Sequence, residues 1–134
     1  MENLQILYLT LGTCVSEETL EKAQKKANEL HLTVHREPTA IKAIFNNGKE
    51  RKKWEEYMAT LGAKNSYITV LRVKAISSPK ELVIQALKIQ GLIEKYGGTT
   101  TNQMRIKEML HFFVTFRDSE SRQTWEKEIL SMNA

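Results

Sequence analysis

Four basic side chains, Lys49, Arg51, Lys52 and Lys53, crowd the first turns of a helix predicted to start just after Asn46-Asn47-Gly48. The positive end of a helix macrodipole disfavours cations, and its free backbone N–H groups accept anions. A bound phosphate would offset that cost, so the cluster is a candidate anion contact. A solvated helix start that simply tolerates its charges is the alternative. Later in the chain, Asp118-Ser119-Glu120-Ser121 occupies the corresponding place with ordinary acidic capping.

Other reactive residue types are sparse. Cys14 precedes a predicted helix, where an N-terminus can lower a thiol pKa. No histidine stands in a sequence relation to it that defines a dyad, and a buried, inert thiol is the competing reading. His31, His35 and His111 lack metal-ligand spacing. Gly-rich phosphate loops, paired carboxylates and nucleophile elbows are absent from the sequence. The expectation is therefore no catalytic set, no metal and no cofactor, which leans towards a non-enzymatic protein and leaves the question of an enzyme open.

The elements that position these residues come in two copies. Phe45…Arg51…Trp54-Glu55 is echoed by Phe116…Arg122…Trp125-Glu126 at a constant offset of 71. Ile6, Leu9, Ser16 and Leu20 match Ile68, Leu71, Ser78 and Leu82 at an offset of 62. Fixed-offset self-similarity predicts a duplicated unit. A longer helix and hairpin in the second copy would absorb the nine-residue difference. Residues 4–11 read as a strand, Gly12–Val15 as a turn, and Ser16 as the N-cap of a helix to Leu30. Strands over 33–35 and 40–45 and a helix over 49–61, closed by Gly62, follow. The second copy runs as a strand over 67–75, a helix over 80–96 opened by Ser78-Pro79, strands over 99–106 and 109–116, and a last helix from Asp118 or Ser119 to Leu130. Trp54 and Trp125 are expected to anchor equivalent helices, each with one edge to water. Arg51 and Arg122 could stack on them. The order is β-α-β-β-α, twice. The fold class is therefore α+β: two ferredoxin-like repeats, residues 1–64 and 65–134, with antiparallel sheets, helices on one face and pseudo-twofold symmetry. The strand at Tyr67 is placed both to close the first repeat and to open the second.

Strand alternation sorts side chains into two faces. Leu7, Leu9 and Leu11 are expected under the helices, together with Leu71 and Val73 and with Phe112, Val114 and Phe116. That leaves Tyr8, Lys42, Arg72, Lys74, His111 and Phe113 on the face away from them. Such a mixture admits three readings: a packing surface between facing sheets or chains, a nucleic-acid platform with stacked bases and held phosphates, or a small-molecule cavity lined by Tyr8, His111 and Arg72. The helix at 80–96 is apolar over more than one face. Leu82, Ala86, Ile89, Ile93 and Tyr96 form a stripe that Val83, Ile84, Leu87 and Leu92 widen. The breadth predicts a homodimer or protein partner.

The 134 residues hold 41% hydrophobic and 27% charged side chains, enough for one ordinary core. Two half-size units would each bury too little alone and should share that core. The lack of a 20-residue apolar run or a signal-like start sets the expectation of a cytoplasmic protein with no membrane partner. A single cysteine agrees with a reducing compartment. A net charge of +4 tilts the partner towards DNA or RNA.

Two resemblances accompany these readings. Ile6–Gly12 with Ser16–Leu20 is similar to the first strand and helix of an RNA-recognition motif, and His111–Asp118 resembles its aromatic strand. The β-α-β-β-α order and the stretch Phe116–Trp125 resemble the dimeric α/β-barrel proteins, small monooxygenases and haem-degrading relatives among them. The leading expectation is non-enzymatic nucleic-acid binding. Lys49, Arg51, Lys52, Lys53, Arg72 and Lys74 hold phosphates in that reading, and Tyr8 and Phe113 stack bases. The alternatives are a small-molecule binder or cofactor-free oxygenase, or a protein-interaction regulator from a mobile element.

Overall fold

A computed structural model describes residues 4–14, 16–76 and 78–132. Its elements are β1 (Gln5–Thr13), α1 (Glu17–Glu29), β2 (Thr33–Arg36), β3 (Ala40–Phe45), α2 (Gly48–Thr60), β4 (Lys64–Lys74), α3 (Pro79–Lys95), β5 (Thr99–Ile106), β6 (Met109–Phe116) and α4 (Ser119–Ser131). The strands follow the order β2-β3-β1-β4-β6-β5. The β1–β3, β2–β3 and β5–β6 pairs are antiparallel. This is an α+β fold of two ferredoxin-like β-α-β-β-α repeats. The chain forms two compact units, Leu7–Ile68 and Thr69–Ala134 with the first six residues. The division falls inside both β1 and β4, so each of these strands serves both units.

The nine-residue difference in offset lies where the sequence places it. α3 has 17 residues against 13 in α1, and the β5–β6 hairpin, Thr99–Phe116, is five residues longer than the β2–β3 hairpin, Thr33–Phe45. Two expectations about β1 and β4 change. Gly12 and Thr13 continue β1 rather than turning, while Val15 lies outside the described residues. Lys64, Asn65 and Ser66, which read as a separator, are strand. The Asn65 amide donates to the Glu55 carbonyl at 3.0 Å, which ties the start of β4 to α2. Tertiary pairing here overrides weak β propensity.

Helix boundaries follow local chemistry. Ser16 and Thr19 form a reciprocal capping box on α1. Asn47 and Asp118 accept from Glu50 N and Ser121 N at the starts of α2 and α4. α1, α2 and α3 all end in a left-handed residue, His31, Gly62 and Gly97 respectively, and the next N–H reaches back to Ala27, Met58 or Ile93.

In the Leu7–Ile68 unit, α1 and α2 cover one face of the strands. Leu20, Ala23, Ala27, Trp54 and Met58 pack against Ile41, Ala43 and Phe45. The register sets Tyr8 opposite Phe45, Thr10 opposite Ala43 and Gly12 opposite Ile41. The helix-covered row of β1 is therefore Tyr8, Thr10 and Gly12, and the expected leucine row is corrected. Leu7, Leu9 and Leu11 are only half-buried. A polar contact reversed the expectation: Thr10, wholly buried, donates to Glu55 of α2. In the other unit the expected rows hold. Leu71, Val73, Phe112 and Val114 are buried, and a Cβ placed on Gly98 would strike both Phe116 of β6 and Ile93 of α3.

Candidate functional site

Each unit carries a buried polar node between a strand threonine and a helix glutamate. In the first, Thr10 Oγ1 donates to Glu55 Oε1 at 3.2 Å, and Arg51 Nε lies 3.5 Å from the same oxygen. The Arg51 guanidinium stands over the Tyr8 ring, 5.1 Å from its centroid. In the second, Thr69 Oγ1 donates to Glu126 Oε2 at 2.9 Å, and Arg122 is wholly buried. A helix turn of Arg-x-x-Trp-Glu builds both nodes. It puts arginine and glutamate four apart on one side, beside the tryptophan that fills the core. Trp54 packs on Phe45 and Trp125 on Phe116, with centroids 6.2 and 5.3 Å apart. Neither tryptophan keeps an edge in water: exposures are 1% and 0%. A shorter signal for the strand side was present in the sequence and missed. Tyr8-Leu9-Thr10 recurs as Tyr67-Ile68-Thr69, at an offset of 59 rather than 62.

These nodes correct the nucleic-acid reading. Arg51, the centre of the basic cluster, is 0% exposed and cannot reach a phosphate. Tyr8, expected to stack bases, lies beneath α2 against Arg51 and Gly48. Lys49, Lys52 and Lys53 remain exposed on α2 and Lys74 at the end of β4. Arg72 and Phe113 are half-buried, and Arg72 Nε is enclosed without a hydrogen-bond partner among the described residues. Arg72, Lys74 and Phe113 belong to the other unit. Of the three residues read as lining a small-molecule cavity, Tyr8 belongs to the Leu7–Ile68 unit and Arg72 and His111 to the other. His111 is buried, its Nδ1 3.3 Å from the Met109 carbonyl. Cys14 is packed into the α1–α2 core. Among the described residues, no group of three His, Cys, Asp or Glu side chains is arranged to hold a metal ion, and no helix is long and apolar enough to cross a membrane.

The site the sequence did not reveal is a cavity of about 730 Å³ within the Leu7–Ile68 unit. Its walls come from the end of α1 (Lys26, Leu30), the left-handed turn at His31, the ends of β2 and β3 (Thr33, Ile44, Phe45) and one side of α2 (Glu50, Lys53, Trp54, Tyr57). The size falls within the usual range for small-ligand sites, and the lining mixes apolar side chains such as Leu30 and Ile44 with polar ones such as His31, Thr33 and Asn46. Trp54 packs on both Phe45 and Tyr57 with ring centroids 6.2 Å apart in each case, and of the three rings Tyr57 is the one that stays half-exposed. Lys26 Nζ sits 5.4 Å from the centre of the Tyr57 ring, so one cation is already held at an aromatic face. Lys53 supplies a second positive group and Glu50 a negative one. Glu50 is held at the first turn of α2, where its N–H donates to Asn47 Oδ1 at 2.9 Å. Two cations, one carboxylate and the Tyr57 ring beside Leu30 and Ile44 suit a small molecule with a charged head and an apolar body. Lys53 is the residue shared with the sequence-derived set.

No protein-family model and no curated protein sequence matches the chain. Among solved structures it is similar to the ligand-free regulatory subunit of aspartate kinase from Thermus thermophilus, with 11% identity over 95% of each chain and a TM-score of 0.37. It is similar to the corresponding subunit from Thermus flavus, with 10% identity, 96% of this chain, 95% of that chain and a TM-score of 0.39. A third is the aspartate kinase of Clostridium acetobutylicum, an allosteric enzyme, with 9% identity, 96% of this chain, 34% of that chain and a TM-score of 0.36. Likeness at this level assigns no residue role and no ligand to the present chain.

Proposed function

We propose that the protein binds a small molecule in the cavity between α1 and α2. The observation that carries the reading is the cavity itself: about 730 Å³, with the half-buried Tyr57 ring, the exposed Leu30 and Ile44, and the charged Lys26, Lys53 and Glu50 in its lining. A carboxylate on the ligand meets Lys53 and Lys26, an ammonium meets Glu50, and an apolar side group lies against Tyr57, Leu30 and Ile44. Free amino acids with apolar or aromatic side chains have this chemistry. Binding by a largely preformed site of this kind leaves the backbone nearly unchanged.

Titration calorimetry against a panel of free amino acids, with their amides and N-acetyl forms, tests the proposal. Saturable binding of one or more free acids is expected, weakened about tenfold or more by Lys53→Ala, which removes a charge-assisted contact. Amides that lose the carboxylate should bind correspondingly less well. Absence of saturable binding across the panel at millimolar concentration, or binding indifferent to both Lys53→Ala and Tyr57→Ala, overturns it.

A further inference from the structure

We propose that α3 is a self-association surface on which a second copy of this chain packs its own α3, antiparallel, about a twofold axis at Leu87. Val83, Ile84 and Leu87 are 58%, 46% and 66% exposed, whereas the buried side of the same helix is Gln85, Ile89 and Ile93. The fold does not require apolar residues there. At the 62-residue offset, α1 carries Glu21, Lys22 and Lys25 in the same places, and Lys22 pairs with Glu18 at 3.4 Å. A position that is charged in one repeat and apolar in the other marks a surface particular to the second.

The pattern along α3 is complementary to itself. At 3.6 residues per turn, Lys80, Val83, Ile84, Gly91 and Glu94 all lie within about 60° of Leu87 around the helix. A twofold axis at Leu87 sets Lys80 against the partner's Glu94 at both ends of the contact. It sets Val83 over the partner's Gly91, where a Cβ would meet nothing within 4 Å and two helices can approach closely. A parallel pairing would instead bring Lys80 to Lys80 and Glu94 to Glu94. The interface is isologous and therefore closes as a dimer. One helix pair buries less than a standard interface, so association in the micromolar range is expected.

Sedimentation equilibrium on the full chain tests this, with wild type, Leu87→Asp, Lys80→Glu, Glu94→Lys and the double charge exchange. Wild type should dimerise. Leu87→Asp should weaken dimerisation by about 30-fold or more, as loss of a central anchor does, with an unchanged melting temperature because the residue is exposed. Each single charge reversal should weaken the dimer, and the double exchange should restore it. A wild-type monomer at about 500 μM, well above a dissociation constant of up to about 50 μM, overturns the proposal. So does a Leu87→Asp dimer as tight as wild type, or a double exchange no tighter than the singles. None of these outcomes depends on ligand binding in the α1–α2 cavity.

Discussion

Arg51 and Arg122 lie wholly inside their units, and each is followed four residues later by a buried glutamate that accepts from a strand threonine. Charge this deep persists only when its partners are in place. Removing one partner leaves an uncompensated ion, whereas removing both is often tolerated. Glu55→Ala should therefore destabilise the protein by about 3–5 kcal/mol in urea unfolding, and adding Arg51→Met to it should recover much of the loss. His31 presents a different residue-scale feature. Its φ of 55° is a conformation that side chains with a Cβ rarely adopt, and Gly97 occupies the equivalent turn after α3. His31→Gly should stabilise the fold by about 1 kcal/mol in the same assay. Because His31 also lines the cavity, ligand affinity should fall. A destabilised His31→Gly variant would show that the imidazole makes a contact worth more than the strain. The arginines, tryptophans and glutamates of both nodes were legible as a repeat. Their burial was not, because a basic run on a helix looks alike in sequence whether one member points inward or all point out.

At the scale of elements, the two later caps differ in one respect that pH can read. Asp118 caps α4 and accepts from Ser121 N at 2.7 Å, and this hydrogen bond holds its carboxyl below its ordinary value of 3.8. Asn47 makes the equivalent contact on α2 and does not titrate. A carboxyl whose folded pKa is depressed contributes stability above its unfolded pKa, and loses it as pH falls through the folded value. Stability measured by thermal unfolding should thus fall on acidification below about pH 4. Part of that fall should vanish in Asp118→Asn, which keeps an acceptor without the charge. Asn47→Ala should cost about 1 kcal/mol at every pH. A pH profile identical in wild type and Asp118→Asn would remove the cap from the account. Helix starts, stops and lengths were nearly all readable here, since caps and left-handed glycines are local chemistry. The row of β1 that faces the helices was not. Leu7, Leu9 and Leu11 looked like the core row, but Thr10 went inside because Glu55 was waiting for a donor.

For the whole molecule, the strands that begin the two repeats matter most. β4 contributes Lys64–Ile68 to one unit and Thr69–Lys74 to the other, and β1 is divided likewise after Ile6. A cut between residues 64 and 65 takes from each fragment the part of a shared strand that its unit contains, 65–68 of β4 from one and Gln5–Ile6 of β1 from the other. Fragments 1–64 and 65–134 should each lack a cooperative unfolding transition by circular dichroism, and mixing them should restore one. A fragment that melts cooperatively alone would show that its unit closes without the shared strand.

By itself the sequence determined the repeat, the element order and the helix boundaries, because periodicity, capping residues and turn residues act within a few positions along the chain. It also exposed the surplus apolar face of α3, which depends on counting residues around a single helix. Only the tertiary structure decided which face of β1 lies inside, that Arg51 is buried rather than presented to solvent, and that the ends of α1, β2 and β3 meet α2 around a cavity. Those outcomes depend on side chains separated by tens of residues finding hydrogen-bond partners or leaving space between them. No local pattern records such pairings.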